Sequence, residues 1–159
     1  MVEGRTPYIT LFTVPNQDDY LIVEKVAKQL DIVDLLGKHV SELSGGQQQL
    51  VSLGRAMVQN TPVILLDEPM SALDLTNQTK LLKLFKKLTS EDSKTIVFST
   101  HDPNHALFLN CNTILLKNGT VMNIGNADEC LTNQNLQTIY GNQIQRINYY
   151  GKGLCIINI

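Results

Sequence analysis

Two adjacent acidic residues, Asp67 and Glu68, directly follow an aliphatic run at positions 63–66. Such a run is typical of a buried strand, and neighbouring side chains on extended backbone point in opposite directions. The two carboxylates should therefore have different roles. In a protein that hydrolyses nucleotides, one would hold Mg²⁺ and the other would polarise the attacking water. Pro69 comes next, so a polar strand end before a turn is the alternative interpretation.

A histidine, His101, follows the next apolar run at positions 96–98. Parallel strands end at the same edge of a sheet, so we expect His101 to share one crevice with the acidic pair. The alternative is a loop histidine whose ring is satisfied by its neighbours. For His39 and His105 we adopt that second interpretation.

A glycine-rich segment at positions 44–47 opens a helix. Glycine lets the backbone approach a ligand closely, and a helix start offers unpaired N–H groups at the positive end of the helix dipole. The Ser44 hydroxyl adds a further donor, so the segment suits a phosphate group. An ordinary serine N-cap before a Gly-Gly turn explains the same residues.

The elements that position these residues alternate between helices and strands. Helical periodicity runs from about Asn16 to Leu30 and again after Gln47, while residues 1–13 carry little periodic signal. Asp74 can cap a helix with a buried stripe of leucine and phenylalanine. The two apolar runs, 63–66 and 96–98, are predicted to be strands of a parallel sheet that is covered on both faces.

The C-terminal third is predicted to contain two hairpins and short helices. Asn118-Gly119 between apolar runs is a strong hairpin signal, and residues 143–159 form a second candidate hairpin. Strands that alternate with helices indicate an α/β domain. We expect three segments: a helical subdomain over residues 1–60, half of an α/β core over 61–125, and C-terminal helices with a tail hairpin over 126–159.

The composition is that of an ordinary globular domain, with 43% hydrophobic and 18% charged residues in a 159-residue chain. The net charge is −2 and lysines and arginines form no long block, which argues against nucleic acid as a partner. No run of about 20 apolar residues is present, so any link to a membrane is expected to go through a partner. The three cysteines are widely spaced, which favours free thiols over a disulfide framework.

Four motifs occur in a fixed order along residues 41–102: Leu-Ser-Gly-Gly-Gln, Val-Ile-Leu-Leu-Asp-Glu-Pro, Ser-Ala-Leu-Asp and Ser-Thr-His-Asp. In this combination the chain resembles the ATP-binding-cassette (ABC) family of transporter ATPases. The resemblance implies a P-loop NTPase-like parallel sheet, with ATP and Mg²⁺ as cofactors. It implies that Asp67 binds Mg²⁺, that Glu68 is the catalytic carboxylate and that His101 touches the γ-phosphate.

The same resemblance implies a second subunit. In the family the signature, which corresponds to residues 44–47 here, contacts the γ-phosphate that is bound by the opposite subunit. The loop that corresponds to residues 71–74 passes signals between subunits. The residues implied in nucleotide binding are Ser44, Gly45, Gly46, Gln47 and, at the end of that loop, Asp74.

The flanking motifs narrow the resemblance to importers of iron–siderophore, haem, cobalamin and related metal complexes. They are Gly-Arg-Thr-Pro-Tyr at residues 4–8 and the leucines and tyrosine of residues 131–141. Membership implies a homodimer that docks on membrane permease subunits, at the cytoplasmic face of the cell membrane.

A phosphate loop, Gly-x-x-x-x-Gly-Lys-Ser/Thr, is absent from these 159 residues. Gly37-Lys38 does not fit, because Ile32 and His39 stand where a glycine and a hydroxyl residue are required, and Gly151-Lys152 fails in the same way. We therefore expect the chain to be the C-terminal part of a cassette, to hydrolyse no ATP alone, and to carry an open sheet edge that favours association.

Two alternatives remain open. The first is a non-catalytic module that completes the ATP site of a partner with its signature face. The second is an ABC-type ATPase of DNA repair, although that class requires a long coiled coil, and glycines at 37 and 45–46 interrupt residues 14–58.

Overall fold

A computed structural model describes residues 1–9 and 14–157 of the chain. It divides into two compact units, Met1–Thr100 and His101–Ile159. The segment boundaries expected at residues 60 and 125 stay a prediction. Asn158 and Ile159, at the end of the expected tail hairpin, lie outside the described residues.

The first unit opens with helices that pack around the helix following the glycine-rich segment. In chain order they are a 3₁₀ helix Val2–Tyr8, α1 Gln17–Gln29, two 3₁₀ turns Val33–Leu35 and Val40–Glu42, and α2 Gly45–Val58. Asn16 caps α1 by accepting a hydrogen bond from the Asp19 N–H, and the Asp19 carboxylate bonds back to the Asn16 N–H.

Long-range polar contacts fix the 3₁₀ helix Val2–Tyr8, which the sequence periodicity does not reveal. Arg5 donates to the Asp19 carboxylate at 2.9 Å and to the Val58 carbonyl at 3.0 Å. The Tyr8 hydroxyl donates to the Gln59 carbonyl at 2.6 Å. These bonds join this 3₁₀ helix to both α1 and the end of α2.

The rest of the first unit is a two-stranded parallel sheet with one covering helix. Strand β1 (Val63–Leu66) pairs in register with β2 (Thr95–Phe98), and helix α3 (Leu75–Ser90) lies between them in sequence. Phe85 of α3 is buried and its ring centroid lies 5.6 Å from that of Phe98. The parallel pairing confirms the α/β prediction.

The prediction that both faces of these strands are covered is wrong for this chain. On one face Ile64 is 6% exposed, but on the other Leu65 is 73% and Val97 53% exposed. The reason is geometric: side chains alternate along a strand, and α3 covers only the face that carries Ile64 and Phe98. A strip of aliphatic side chains is left in contact with solvent.

The second unit combines two hairpins with three short helices. Its elements are α4 Pro103–Leu109, β3 Asn112–Lys117, β4 Thr120–Asn126, α5 Ala127–Cys130, α6 Asn133–Tyr140, a 3₁₀ turn Gly141–Gln143, β5 Ile144–Tyr149 and β6 Lys152–Ile157. Buried Ala127, Leu136 and Cys155 belong to its core. Cys111, Cys130 and Cys155 are all free thiols, as expected.

Both hairpins turn on two residues with positive φ, a geometry that matches the twist of the flanking strands. Asn118 and Gly119 have φ of 51° and 73°, and Tyr150 and Gly151 have φ of 49° and 76°. Both predicted hairpins are therefore confirmed. Within residues 1–9 and 14–157, no helix has the length and apolar character needed to cross a membrane.

Candidate active site

The glycine-rich segment forms the start of α2, as predicted. Ser44 is the N-cap: its Oγ accepts from the Gln47 N–H at 3.3 Å, and the Gln47 Oε1 accepts from the Ser44 N–H at 3.0 Å. This reciprocal pair is a capping box. Ser44 is thus an N-cap, as the alternative interpretation expected. The capping box holds the helix start, which is exposed and has its N–H groups aligned.

The two glycines of this segment have different surroundings. A Cβ at Gly45 would meet nothing within 4 Å, whereas a Cβ at Gly46 would lie 2.8 Å from the Ala72 carbonyl oxygen. Gly46 is therefore required for packing inside this unit. Gly45 faces open space and has no side chain, so another molecule can approach its backbone closely.

The acidic pair lies in a turn just beyond β1. Glu68 has φ of 41°, a left-handed conformation that is unfavourable for a residue with a side chain. The assumption that Asp67 and Glu68 continue an extended strand is therefore wrong. The directions of the two side chains are therefore set by the turn and not by a strand. The conformation of this turn must be held by other parts of the unit.

Three side chains hold this turn. Ser99 lies just after β2, and its Oγ donates to Asp67 Oδ1 at 2.5 Å and accepts from the Glu68 N–H at 2.9 Å. Gln49, on α2, donates to the Glu68 carbonyl at 3.2 Å, and the Ser71 hydroxyl donates to the same oxygen at 3.0 Å. The acidic turn is thus joined to both the second strand and the signature helix.

The sequence motifs do not predict these functions of Ser99 and Gln49. The signal for Ser99 was present, because a residue just past β2 must lie at the same sheet edge as one just past β1. No comparable signal marks Gln49, since its contact joins residues that are 19 positions apart across a loop.

Asp74 is used locally. Its Oδ1 accepts from the Asn77 N–H at 2.8 Å and its Oδ2 accepts from the Asn77 amide at 2.9 Å, so it caps α3 as predicted. Its implied part in nucleotide binding stays a prediction.

His101 is the first residue of the second unit and is exposed. Its backbone carbonyl accepts from the Tyr140 hydroxyl at 2.9 Å. Its expected place beside the acidic pair stays a prediction. His105 is buried in α4, and burial lowers its pKa, against a smaller opposing effect of the Asp102 carboxylate 3.7 Å away. His39 precedes the second 3₁₀ turn and is exposed.

The residues at the acidic turn fit a Mg²⁺ ion that is shared with a nucleotide. In the described part of the chain, no group of three or more His, Cys, Asp or Glu side chains is arranged to hold a metal ion. Mg²⁺ commonly binds through one or two carboxylates together with phosphate oxygens and water, so it needs no such cluster. Asp67 supplies one carboxylate, and Ser99 fixes its orientation.

A helix start suited to an anion and an acidic turn after a parallel strand are two of the parts that a nucleotide-hydrolysing protein of the α/β class uses. Residues 5–71 match the model of the ABC transporter family, and the chain belongs to that family. The predicted resemblance is thereby confirmed.

Two solved structures and one curated protein are similar to this chain. An inward-facing structure of a putative metal-chelate type ABC transporter superposes with a TM-score of 0.86 and 31% identity, over 99% of this chain and 65% of that one. A dimeric ATP-binding cassette with bound ADP and Pi superposes with a TM-score of 0.69 and 35% identity, over 79% and 54%.

The relative is the molybdate import ATP-binding protein MolC of Haemophilus influenzae, 36% identical over 137 residues, which are 86% of this chain and 54% of the relative. The chain therefore spans about half the length of such a relative.

Proposed function

We propose that this chain supplies the signature and the catalytic acids of the ATPase subunit of an ABC importer. The observation that carries the proposal is the acidic turn after β1, which Ser99 and the signature-helix residue Gln49 hold in a strained conformation. Strain of this kind persists only where the surroundings enforce it, and it is concentrated at functional sites.

The two acids divide the chemistry. Glu68 acts as the general base that takes a proton from the attacking water. Asp67 holds Mg²⁺, which neutralises charge on the β- and γ-phosphates when bound. His101 contacts the γ-phosphate, as the family resemblance implies.

The exposed start of α2 serves a second copy of the subunit. The aligned N–H groups, the Ser44 hydroxyl and the open space at Gly45 suit the γ-phosphate of a nucleotide that the other subunit binds. Gln47 closes the capping box, and Asp74, which caps α3, ends the loop that by resemblance passes signals between subunits and contributes to nucleotide binding. The similarity to a dimeric cassette with ADP and Pi supports this arrangement.

ATP hydrolysis also needs a phosphate loop, which these 159 residues do not contain. We propose that the polypeptide carrying that loop covers the exposed strip of the β1–β2 sheet, formed by Val63, Leu65 and Val97. Burial of aliphatic surface contributes about 25 cal/mol per Å², so the strip favours association. A clean monomer at high concentration in sedimentation would count against this part of the proposal.

The transported substrate belongs to the class of metal complexes or metal oxyanions. The metal-chelate type of one structural neighbour and the molybdate import protein support this class, within which the iron–siderophore, haem and cobalamin group was predicted. Permease subunits receive the helical part of the first unit, and the protein lies on the cytoplasmic face of the membrane.

A second candidate is a non-catalytic module that completes the ATP site of a partner. The intact, exposed signature start in a chain without a phosphate loop favours it. The DNA sequence upstream of the Met1 codon distinguishes the two functions: an in-frame phosphate loop supports the importer ATPase, and a stop codon with a native start at Met1 supports the module.

The test compares phosphate release by the 159-residue chain with release by a joined cassette, in which the chain follows a phosphate-loop segment. We expect no release by the chain above that of its Glu68→Gln variant. In the joined cassette, Glu68→Gln should slow hydrolysis about 10²–10⁴-fold and leave ATP binding intact. Hydrolysis by the chain alone, or full activity of the Glu68→Gln cassette, would overturn the proposal.

A further inference from the structure

The hydroxyl of Ser99 sits between the two acids that the proposed function requires. Residues Leu66 and Phe98 are partners in the parallel register, so Asp67 and Ser99 leave their strands at the same sheet edge. The Ser99 N–H extends the ladder by donating to the Leu66 carbonyl at 3.0 Å. The backbone position of Ser99 is therefore fixed by the sheet itself.

One hydroxyl group makes two bonds with different consequences. Its proton goes to Asp67 Oδ1 at 2.5 Å, a charge-assisted bond that sets the plane of the carboxylate. Its oxygen accepts from the Glu68 N–H at 2.9 Å, which holds the peptide between the two acids. The same contact thus orients the carboxylate of one acid and the backbone of the other.

The second bond bears on the strain at Glu68. With φ of 41°, this residue needs restraint on both sides of its α-carbon. Gln49 and Ser71 restrain the carbonyl, and Ser99 restrains the N–H. Removal of the hydroxyl would remove this bond to the strained residue.

We propose that Ser99 is a positioning residue for the hydrolytic reaction: it turns the Asp67 carboxylate toward Mg²⁺ and keeps Glu68 in its left-handed turn. The proposal rests on the proposed function of the two acids. Errors of about 1 Å in such groups can cost on the order of 10²-fold in rate. A hydroxyl is required, so threonine should replace serine and alanine should not.

The first measurement is amide hydrogen exchange of Glu68 in the 159-residue chain. In Ser99→Ala, exchange at this N–H should become about three- to tenfold faster, as expected for the loss of one hydrogen bond. Ser99→Thr should keep the slow rate. Thr95→Ala, at the opposite end of β2, is the matched control and should not change it.

The second measurement is the Mg²⁺ dependence of ATP hydrolysis by the joined cassette. In Ser99→Ala the Mg²⁺ concentration at half-maximal rate should rise about tenfold, and the maximal rate should fall about tenfold. Ser99→Thr should restore both, while Thr95→Ala should alter neither. A purely structural role would lower stability without moving the Mg²⁺ midpoint.

The outcomes distinguish a failure of this proposal from a failure of the proposed function of the two acids. If Glu68→Gln abolishes hydrolysis but Ser99→Ala matches the wild type in both Mg²⁺ midpoint and maximal rate, Ser99 has no positioning role. If Glu68→Gln leaves hydrolysis intact, the assignment of the acids fails, whatever Ser99 does. Faster exchange together with a raised midpoint in Ser99→Ala, reversed in Ser99→Thr, supports the proposal.

Discussion

The start of α2 and the acidic turn after β1 both expose polar groups to solvent, but they are built in different ways. Ser44 and Gln47 satisfy each other within three residues, so the helix start is complete from local sequence alone. The turn at Glu68 is held from Gln49 and Ser99, which are 19 and 31 positions away. One region is self-supporting, and the other is supported by the fold.

This difference fits the two parts that the proposed function gives them. A surface that serves the nucleotide of another subunit gains from a rigid shape that its local sequence determines. Catalytic acids, in contrast, gain from several restraints, because their geometry sets the rate.

The largest effect on stability is expected where the two regions touch. Gly46→Ala would place a methyl group 2.8 Å from the Ala72 carbonyl, and we expect a loss of about 1–3 kcal/mol in the free energy of unfolding. Gly45→Ala, in open space, is the matched control and should cause no loss. Urea denaturation of the two variants measures this, and equal stability would show that the loop moves aside freely.

A second prediction concerns the strain at Glu68. A left-handed conformation costs a residue with a Cβ about 1–2 kcal/mol, and glycine avoids this cost. Glu68→Gly should therefore be about 1 kcal/mol more stable than Glu68→Ala, which keeps the strain and also lacks the carboxylate. Equal stability in thermal denaturation would mean that the turn relaxes in solution.

The capping box provides the corresponding test of the local region. Ser44→Ala removes the acceptor for the Gln47 N–H, and loss of such a cap costs about 1 kcal/mol. Ser44→Asp keeps an acceptor and should retain the stability. If Ser44→Ala also accelerated hydrogen exchange of the Glu68 N–H, the two regions would not be independent.

These contrasts explain what the sequence could and could not predict. The caps at Ser44 and Asp74 and the turn at Asn118-Gly119 depend on neighbours within a few residues, so local chemistry identified them. The parallel pairing of two apolar runs followed from their composition. The open face at Leu65 did not, because exposure depends on what else covers the sheet.

Arg5 illustrates the same limit, and the last stability prediction concerns only how stability changes with pH. Its hydrogen bond to the Asp19 carboxylate, with a further contribution from the Asn16 N–H, holds the pKa of Asp19 below its usual value. A lowered pKa in the folded state means that the stabilisation is present above about pH 4 and is lost as the pH falls further. Its origin spans 14 residues of sequence, which periodicity does not reveal.

The check is the acid limb of a stability–pH curve. Arg5→Met should flatten the decline below about pH 4 relative to the wild type. Lys28→Met, which removes an exposed ion pair with Glu24, is the control and should leave the acid limb almost unchanged. An identical decline in the wild type and Arg5→Met would show that this ion pair does not stabilise the fold.

The most direct test of the central claim uses purified mixed dimers of the joined cassette in single-turnover hydrolysis. If the signature serves the opposite subunit, Glu68→Gln on one subunit and Gly45→Asp on the other damage the same composite site and leave one intact. That dimer should hydrolyse about half of the bound ATP at the normal rate, whereas both changes on one subunit should abolish the reaction. The reverse pattern would show that signature and acids act on the same subunit's nucleotide and would contradict the account.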